Sequence, residues 1–297
     1  MIVLAGYCGR EPRGVNGGGC VALLGLRDNI QRVGDMPGEF QAKVVVVTGG
    51  SRGIGRSITT AFAREGARCV LASSSAANLA AAAKIVGAAG GAEPVTVAAD
   101  LRTLAGCDQV FARVNDQFKR CDVLINCAGA TRAGDFLAIP DEAWLDGFAL
   151  KFFGAVRQSR LFWPLLTTAR GHVVNIIGGA ARTVEPEFLV GGSVNSALAN
   201  FTKGLSRRGI RDGVNVNAIH PGATATERTN TLLRQRAEAS GRTVEEVRAE
   251  TIAKSGVQRM AEPEDIAALA LFLCSERARH IQGTATAVDG GATPGLY

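Results

Sequence analysis

Tyrosine is almost missing from this sequence: of 297 residues only Tyr7 and Tyr297 carry a phenol, both at the chain's extremes. Chemistry that needs a mid-chain tyrosine is therefore excluded. Aromatic residues of every kind amount to 5%. No apolar run approaches the roughly 20 residues that a membrane-spanning helix needs; runs such as Val44 to Val47 are far shorter. The net charge of +6 is not gathered into a basic block. Its arginines are scattered through helical stretches, which implies a solvated basic surface and no nucleic-acid partner. The seven cysteines (8, 20, 69, 107, 121, 127 and 274) form no C-x-x-C pair and have no histidine at metal-ligand spacing. An odd number without such pattern reads as free thiols of a cytoplasmic, reducing compartment, with no metal and no disulfide framework. What the chain does have is 46% hydrophobic and 20% charged residues, enough for a packed core and incompatible with disorder. It also has 37 glycines, so tight turns and close backbone approaches matter.

Residues 1–35 differ from the rest. They hold eight glycines, including the run Gly17-Gly18-Gly19, and no apolar periodicity beyond Val21 to Leu26. No basic start precedes Ile2 to Ala5, so a signal peptide is not expected. Met36 opens a segment just ahead of the first strand-like run. Residues 1–35 are expected to be a disordered or spurious extension, which the intact mass of the native protein checks. From residue 43 onward β-like and α-like stretches alternate. Val44-Val45-Val46-Val47 has the pattern of a strand buried on both faces. Helix 53–65 follows, with Ile54, Ile58, Ala61 and Phe62 on one face. Further strands are expected at 69–71, 94–98, 122–126, 172–177, 214–219 and 284–288. Helices are expected at 76–89, 106–119, 141–169, 193–208, 226–255 and 263–275. Repeated βα units imply an α/β fold: a doubly wound parallel sheet with helices on both faces, as a single domain over 36–297.

Thr48-Gly49-Gly50-Ser51-Arg52-Gly53-Ile54-Gly55 lies between the first strand and the first helix. Glycines there allow a sharp turn and close approach to a pyrophosphate, which the helix N-terminus stabilises. The T-G-x-x-x-G-x-G spacing resembles the short-chain dehydrogenase/reductase family, and the resemblance runs from about 40 to 292. Asp100-Leu101 resembles the family's adenine-contacting segment. Asn126-Cys127-Ala128-Gly129 resembles its N-N-A-G motif. Val214 to Gly222 resembles its V-x-V-N-x-x-x-P-G segment, which brings Pro221, Gly222, Thr224 and Thr226 near the nicotinamide. Val288-Asp289-Gly290-Gly291 matches its C-terminal signature. The resemblance implies a Rossmann-type oxidoreductase with a small-molecule substrate and a bound nicotinamide dinucleotide held by Gly49, Ser51, Arg52, Gly53, Ile54, Gly55, Asp100, Leu101, Asn126, Ala128 and Gly129.

An NAD-selecting acid is expected after the second strand, but Ala72-Ser73-Ser74-Ser75 has none. Ser73 occupies the place of that acid, and Ser74 a place where a phosphate-binding arginine is common. Arg52 resembles the basic residue that faces the 2′-phosphate in NADP-dependent members. NADP(H) is therefore the favoured cofactor, with NAD(H) as the alternative.

The catalytic positions depart from the family. Its machinery is a tyrosine acid, a lysine four residues later, a serine thirteen before the tyrosine, and an asparagine upstream. Ala197 to Lys203 resembles the stretch after the family lysine, which puts Asn195 at the lysine position and Gly191 at the tyrosine position. Val174-Asn175-Ile176-Ile177-Gly178 resembles the strand that ends at the serine, and Gly178 stands there, thirteen residues before Gly191. Lys151 takes the asparagine position. Two readings stand. In the first, a divergent oxidoreductase interconverts an alcohol and a carbonyl. Lys151 serves as proton donor once burial or the oxidised nicotinamide lowers its pKa, and His220 is a second candidate. Asn195 hydrogen-bonds the ribose, and the two glycines leave room for a bulkier substrate. In the second, the protein binds a dinucleotide without turnover, as a sensor or structural partner.

Ala225 to Gln258 resembles the family's substrate lid, with Leu232, Leu233, Val244 and Val247 at helical spacing and Arg228, Arg234 and Arg236 facing solvent or an acidic substrate. The aromatic-rich stretch 141–169 corresponds to the helix that family members pair across a dimer axis, so the resemblance implies a homodimer or homotetramer.

Overall fold

The structure, a computed structural model, describes residues 38–90 and 92–295. The readings for residues 1–35 and for Met36 lie outside the described residues. Seven strands form one parallel sheet: β1 (Val44–Thr48), β2 (Arg68–Ser73), β3 (Val95–Ala98), β4 (Val123–Asn126), β5 (His172–Ile176), β6 (Asn215–Pro221) and β7 (Ala285–Val288). Their spatial order is β3-β2-β1-β4-β5-β6-β7. Chain order reverses between β1 and β4, which leaves a crevice at the carboxyl ends of those strands. The helices are α1 (Gly53–Arg64), α2 (Ala76–Ala88), α3 (Leu104–Phe118), α4 (Asp141–Gly147), α5 (Gly154–Ala169), α6 (Leu189–Asp212), α7 (Glu227–Ser240), α8 (Val244–Ser255) and α9 (Pro263–Leu273).

The β-branched run at the start becomes the central strand because every residue of β1 is buried, and the pleat sends alternate side chains to opposite layers. Val45 and Val47 join Ile58 and Phe62 of α1 and Ile266 and Ala270 of α9. Val44 and Val46 join Val110 and Val114 of α3 and Phe162 and Leu166 of α5. Helix starts follow local chemistry. Ser75, Thr103, Thr226 and Thr243 each accept a first-turn backbone N–H, and Pro263 opens α9 behind a Glu262–Asp265 capping box.

Three expected helices have different bounds. Stretch 141–169 is interrupted by a π-helical turn, Phe148–Phe153, between α4 and α5. The helix expected at 193–208 is α6, which starts at Leu189 and ends at the left-handed Gly213 (φ 73°). The segment expected as 226–255 is two helices, because Gly241 adopts φ 64° and Thr243 with Glu246 starts a new one. The five cysteines among the described residues are free thiols, and none of the described helices is long and apolar enough to cross a membrane.

Asp122 ties the amino ends of the strands together. Its carboxylate accepts from Val44 N–H at 2.9 Å and from Arg120 Nε and Nη2 at 2.8 and 2.7 Å. Burial raises its pKa, but these bonds and Lys43 outweigh burial and hold it below the ordinary value. Asp122→Ala is expected to cost about 2 kcal/mol at pH 7, since Val44 N–H loses its buried partner. The depressed pKa makes this stabilisation complete above the ordinary carboxyl range and lost as pH falls below it. In urea unfolding from pH 7 downward, the difference between the two proteins is expected to shrink once the pH passes below the ordinary carboxyl range.

Candidate active site

The glycine turn needs its glycines. Gly49 and Gly53 adopt φ 66° and 51°. A Cβ on Gly49 would lie 2.9 Å from Ala128 backbone, and one on Gly55 would lie 2.3 Å from the Gly49 carbonyl oxygen. Thr48 anchors the turn, since its hydroxyl donates to Ile125 O and accepts from Cys127 N and Ala128 N at 3.0 and 3.1 Å. α1 then starts without an acidic residue in its first turn and without a side-chain cap from Arg52. Its first amides are therefore available to an anion.

A cleft of about 660 Å³ opens on this turn. Gly49, Ser51, Arg52, Gly53, Ile54 and Gly55 line it, with Ser73 and Ser74 after β2, Asp100 and Leu101 after β3, Ala128 and Gly129 after β4, and Thr226 before α7. Ser51 Oγ donates to Ser73 Oγ at 3.0 Å. Arg52 is exposed. The cradle, the uncapped helix and a cleft of this size fit a dinucleotide.

Asn126, Pro221, Gly222 and Thr224 are not part of the cleft lining, and neither are Lys151, Asn195 and His220, which lie behind it. Asn126 corrects the expectation of a direct cofactor contact: it is buried, and its amide donates to Asn175 Oδ1 at 2.8 Å and Ser159 Oγ at 3.3 Å. Asn175 passes the chain on to Thr202 at 2.8 Å. Gly222 serves packing, because a Cβ there would lie 2.7 Å from Asp289 Cα. Thr224 donates back to Gly222 O at 2.9 Å. The cleft adds Leu150 and Glu227, which the motif reading missed, together with Cys127 of the N-N-A-G-like segment and Arg228 and Leu232 of the lid. The signal for the two missed residues was adjacency: Leu150 precedes Lys151, and Glu227 follows Thr226.

Lys151 sits in the π-helical turn, the kind of local underwinding often found at functional positions. Its stem packs on the Gly129 backbone, where a Cβ would lie 2.9 Å from Lys151 Cδ. Its ammonium donates to Ile177 O at 3.3 Å. Burial pulls the amine's pKa down to about 8, with Cys127 opposing and Arg228 assisting. The Cys127 thiol is itself pushed up to about 12 by burial. His220, 3% exposed, has Nδ1 3.0 Å from Gly178 O. A carbonyl only accepts, so Nδ1 carries the proton of that bond. Burial also lowers the pKa of His220, opposed by this bond, with Arg182 and Lys151 lowering it further. Lys151 and His220 thus hold consecutive carbonyls at the end of β5.

The space expected beside the two glycines is taken. A Cβ on Gly191 would lie 2.1–2.6 Å from the Phe188 ring, so Phe188 fills the volume next to the tyrosine position. A Cβ on Gly178 would lie 2.8 Å from Asn195 Nδ2. Asn195 is 3% exposed, and its Oδ1 is buried without a partner.

The lid is clasped on two sides. Glu227 pairs with Arg56 of α1 at 2.8 Å, and Arg228 donates to Thr131 O at 3.1 Å. Leu233, Ala237, Val247 and Met260 form its own small core. Arg236 lines a separate groove between α7 and α8.

The sheet order, the glycine turn and the cleft define a dinucleotide-binding α/β domain. The family described as enoyl-(acyl carrier protein) reductase matches residues 49–293, and the chain belongs to the short-chain dehydrogenase/reductase family. It is 33% identical over 251 residues to galactitol 2-dehydrogenase (L-tagatose-forming) of Cereibacter sphaeroides, covering 83% of this chain and 93% of that protein. An uncharacterized oxidoreductase of Mycobacterium tuberculosis is 32% identical over 253 residues, 84% of this chain and 92% of its own. The crystal structure of L-sorbose reductase from Gluconobacter frateurii, complexed with NADPH and L-sorbose, superposes with a TM-score of 0.83 at 31% identity, covering 88% of this chain and all (100%) of that one.

Proposed function

We propose that this chain is an NADP(H)-dependent oxidoreductase that interconverts an alcohol and a carbonyl, with Lys151 as the proton donor. The observation that carries the reading is the desolvated Lys151 amine, packed on Gly129 at the cleft and reaching the end of β5. When bound, the nicotinamide supplies or accepts the hydride. Lys151 Nζ gives its proton to the carbonyl oxygen in reduction and takes the hydroxyl proton in oxidation. The unpartnered Asn195 Oδ1 is the acceptor we assign to a ribose hydroxyl. Arg52 supports NADP(H): it lines the cleft beside Ser73 and Ser74, and no acid stands at the β2 end to repel a phosphate. The NADPH complex of L-sorbose reductase supports the same choice.

A second reading, dinucleotide binding without turnover, is favoured by the Phe188 ring in the space beside Gly191. Titration with NADPH and NADH, followed by Trp144 and Trp163 fluorescence, comes first; turnover is then measured on a panel of polyols and ketoses. NADPH binding with turnover supports the enzyme, and binding without turnover across the panel supports the silent protein. Arg52→Ala is expected to weaken NADPH about 10- to 100-fold and leave NADH unchanged, as one charge-assisted contact is lost. We also propose a homo-oligomer, in which exposed Leu104 and Phe153 are covered. Light scattering of the purified protein is expected to give a multiple of the monomer mass.

A further inference from the structure

Glu227 places a carboxylate at the anion end of the cleft. Its Oε1 accepts from Arg56 Nη2 at 2.8 Å, and its Oε2 lies 3.9 Å from the point where a side chain on Gly53 would begin. The residue lines the cleft together with Arg52 and Gly53. Arg56 is on α1, directly after the uncapped amides of its first turn, and Glu227 is the first residue of α7. Thr226 fixes that position, since its hydroxyl caps α7 through Thr229 N at 3.2 Å and its methyl lies 3.3 Å from the Gly53 Cβ point. The carboxylate thus stands beside the α1 N-terminus that a diphosphate would use, with Arg56 pairing it from outside the cleft lining.

We infer that Glu227 is a resident counter-charge that weakens the cleft's hold on the dinucleotide diphosphate, and that Arg56 neutralises part of that repulsion. The inference rests on the cleft taking a nicotinamide dinucleotide, as proposed above. The diphosphate is common to both cofactors, so NADPH and NADH must respond alike, unlike their response to a change at Arg52. Both partners are partly solvated, with side chains 31% and 52% exposed, so the effect is moderate and screened by salt.

The test is the affinity of full-length wild type, Glu227→Gln, Arg56→Gln and the double variant for NADPH and for NADH, by fluorescence titration at low and high salt. Glu227→Gln is expected to tighten both cofactors about 3- to 10-fold at low salt, with the gain shrinking at high salt. Arg56→Gln is expected to weaken both by a similar factor. Opposite signs distinguish a counter-charge from a lid clasp, because loosening a clasp moves both variants in one direction. Same-sign shifts, or no shift in Glu227→Gln, overturn the inference while leaving the oxidoreductase reading intact. A wild type that binds neither cofactor overturns both.

Discussion

Lys151→Met is expected to lower turnover about 10²- to 10⁴-fold, the range lost when a positioned general acid is removed, while NADPH binding stays within about twofold. The pH profile carries the assignment. The amine must be protonated to donate, and its pKa is about 8. Reduction in the wild type is therefore flat below pH 8 and falls above it, whereas oxidation rises through the same point. The variant is expected to lose this inflection. Lys151→Arg keeps a cation of high pKa, a poor acid, and should keep charge without restoring the rate. Stability gives an independent sign. The folded pKa of about 8 lies below the ordinary 10.5, so the buried ammonium opposes folding below pH 8 and ceases to do so as pH rises to 10.5. Lys151→Met should melt higher than wild type at pH 7, with the difference vanishing toward pH 10.5. Calorimetry checks it. A variant with wild-type turnover would return the proton-transfer role to His220.

The βα alternation was legible because β1 is buried on both faces and reads as a continuous β-branched run. The glycine turn was legible too, since its backbone geometry admits few residues. The start of α6 was not. The helix was expected from 193, but Val190, Val194 and Leu198 form a buried stripe at four-residue spacing that carries it back to Leu189. That extension brings Phe188, at the end of the 3₁₀ turn Pro186–Phe188, onto Gly191. A gap in a motif says which atoms are missing; it does not say which neighbour moves in. Asn126 teaches the converse, for a motif position does not fix where the side chain is used. Its amide is consumed by Asn175 of β5 and Ser159 of α5. The π-helical turn around Lys151 left no mark in the apolar pattern. The break at Gly241 did have a signal, Thr243 followed by Glu246, the capping-box spacing.

Gly55→Ala is the second large effect. The added methyl would stand 2.3 Å from Gly49 O and 2.9 Å from its carbonyl carbon. Neither contact is relieved by a rotamer, because both atoms are backbone. The turn must open, and Gly49, pressed on Ala128, has no space to retreat. We expect a cost of about 3 kcal/mol, the upper range for overpacking, and loss of more than about 100-fold in affinity for both dinucleotides as the amides leave their alignment. Gly204→Ala provides the opposite case in the same molecule. Gly204 lies within α6 with open space where a Cβ would go. There the substitution only removes unfolded-chain freedom and should stabilise by about 1 kcal/mol, with cofactor affinity unchanged. Urea unfolding and NADPH titration of the two variants therefore move stability in opposite directions and affinity in only one. If Gly55→Ala kept wild-type affinity, close packing of the turn would not be what orients the first amides of α1.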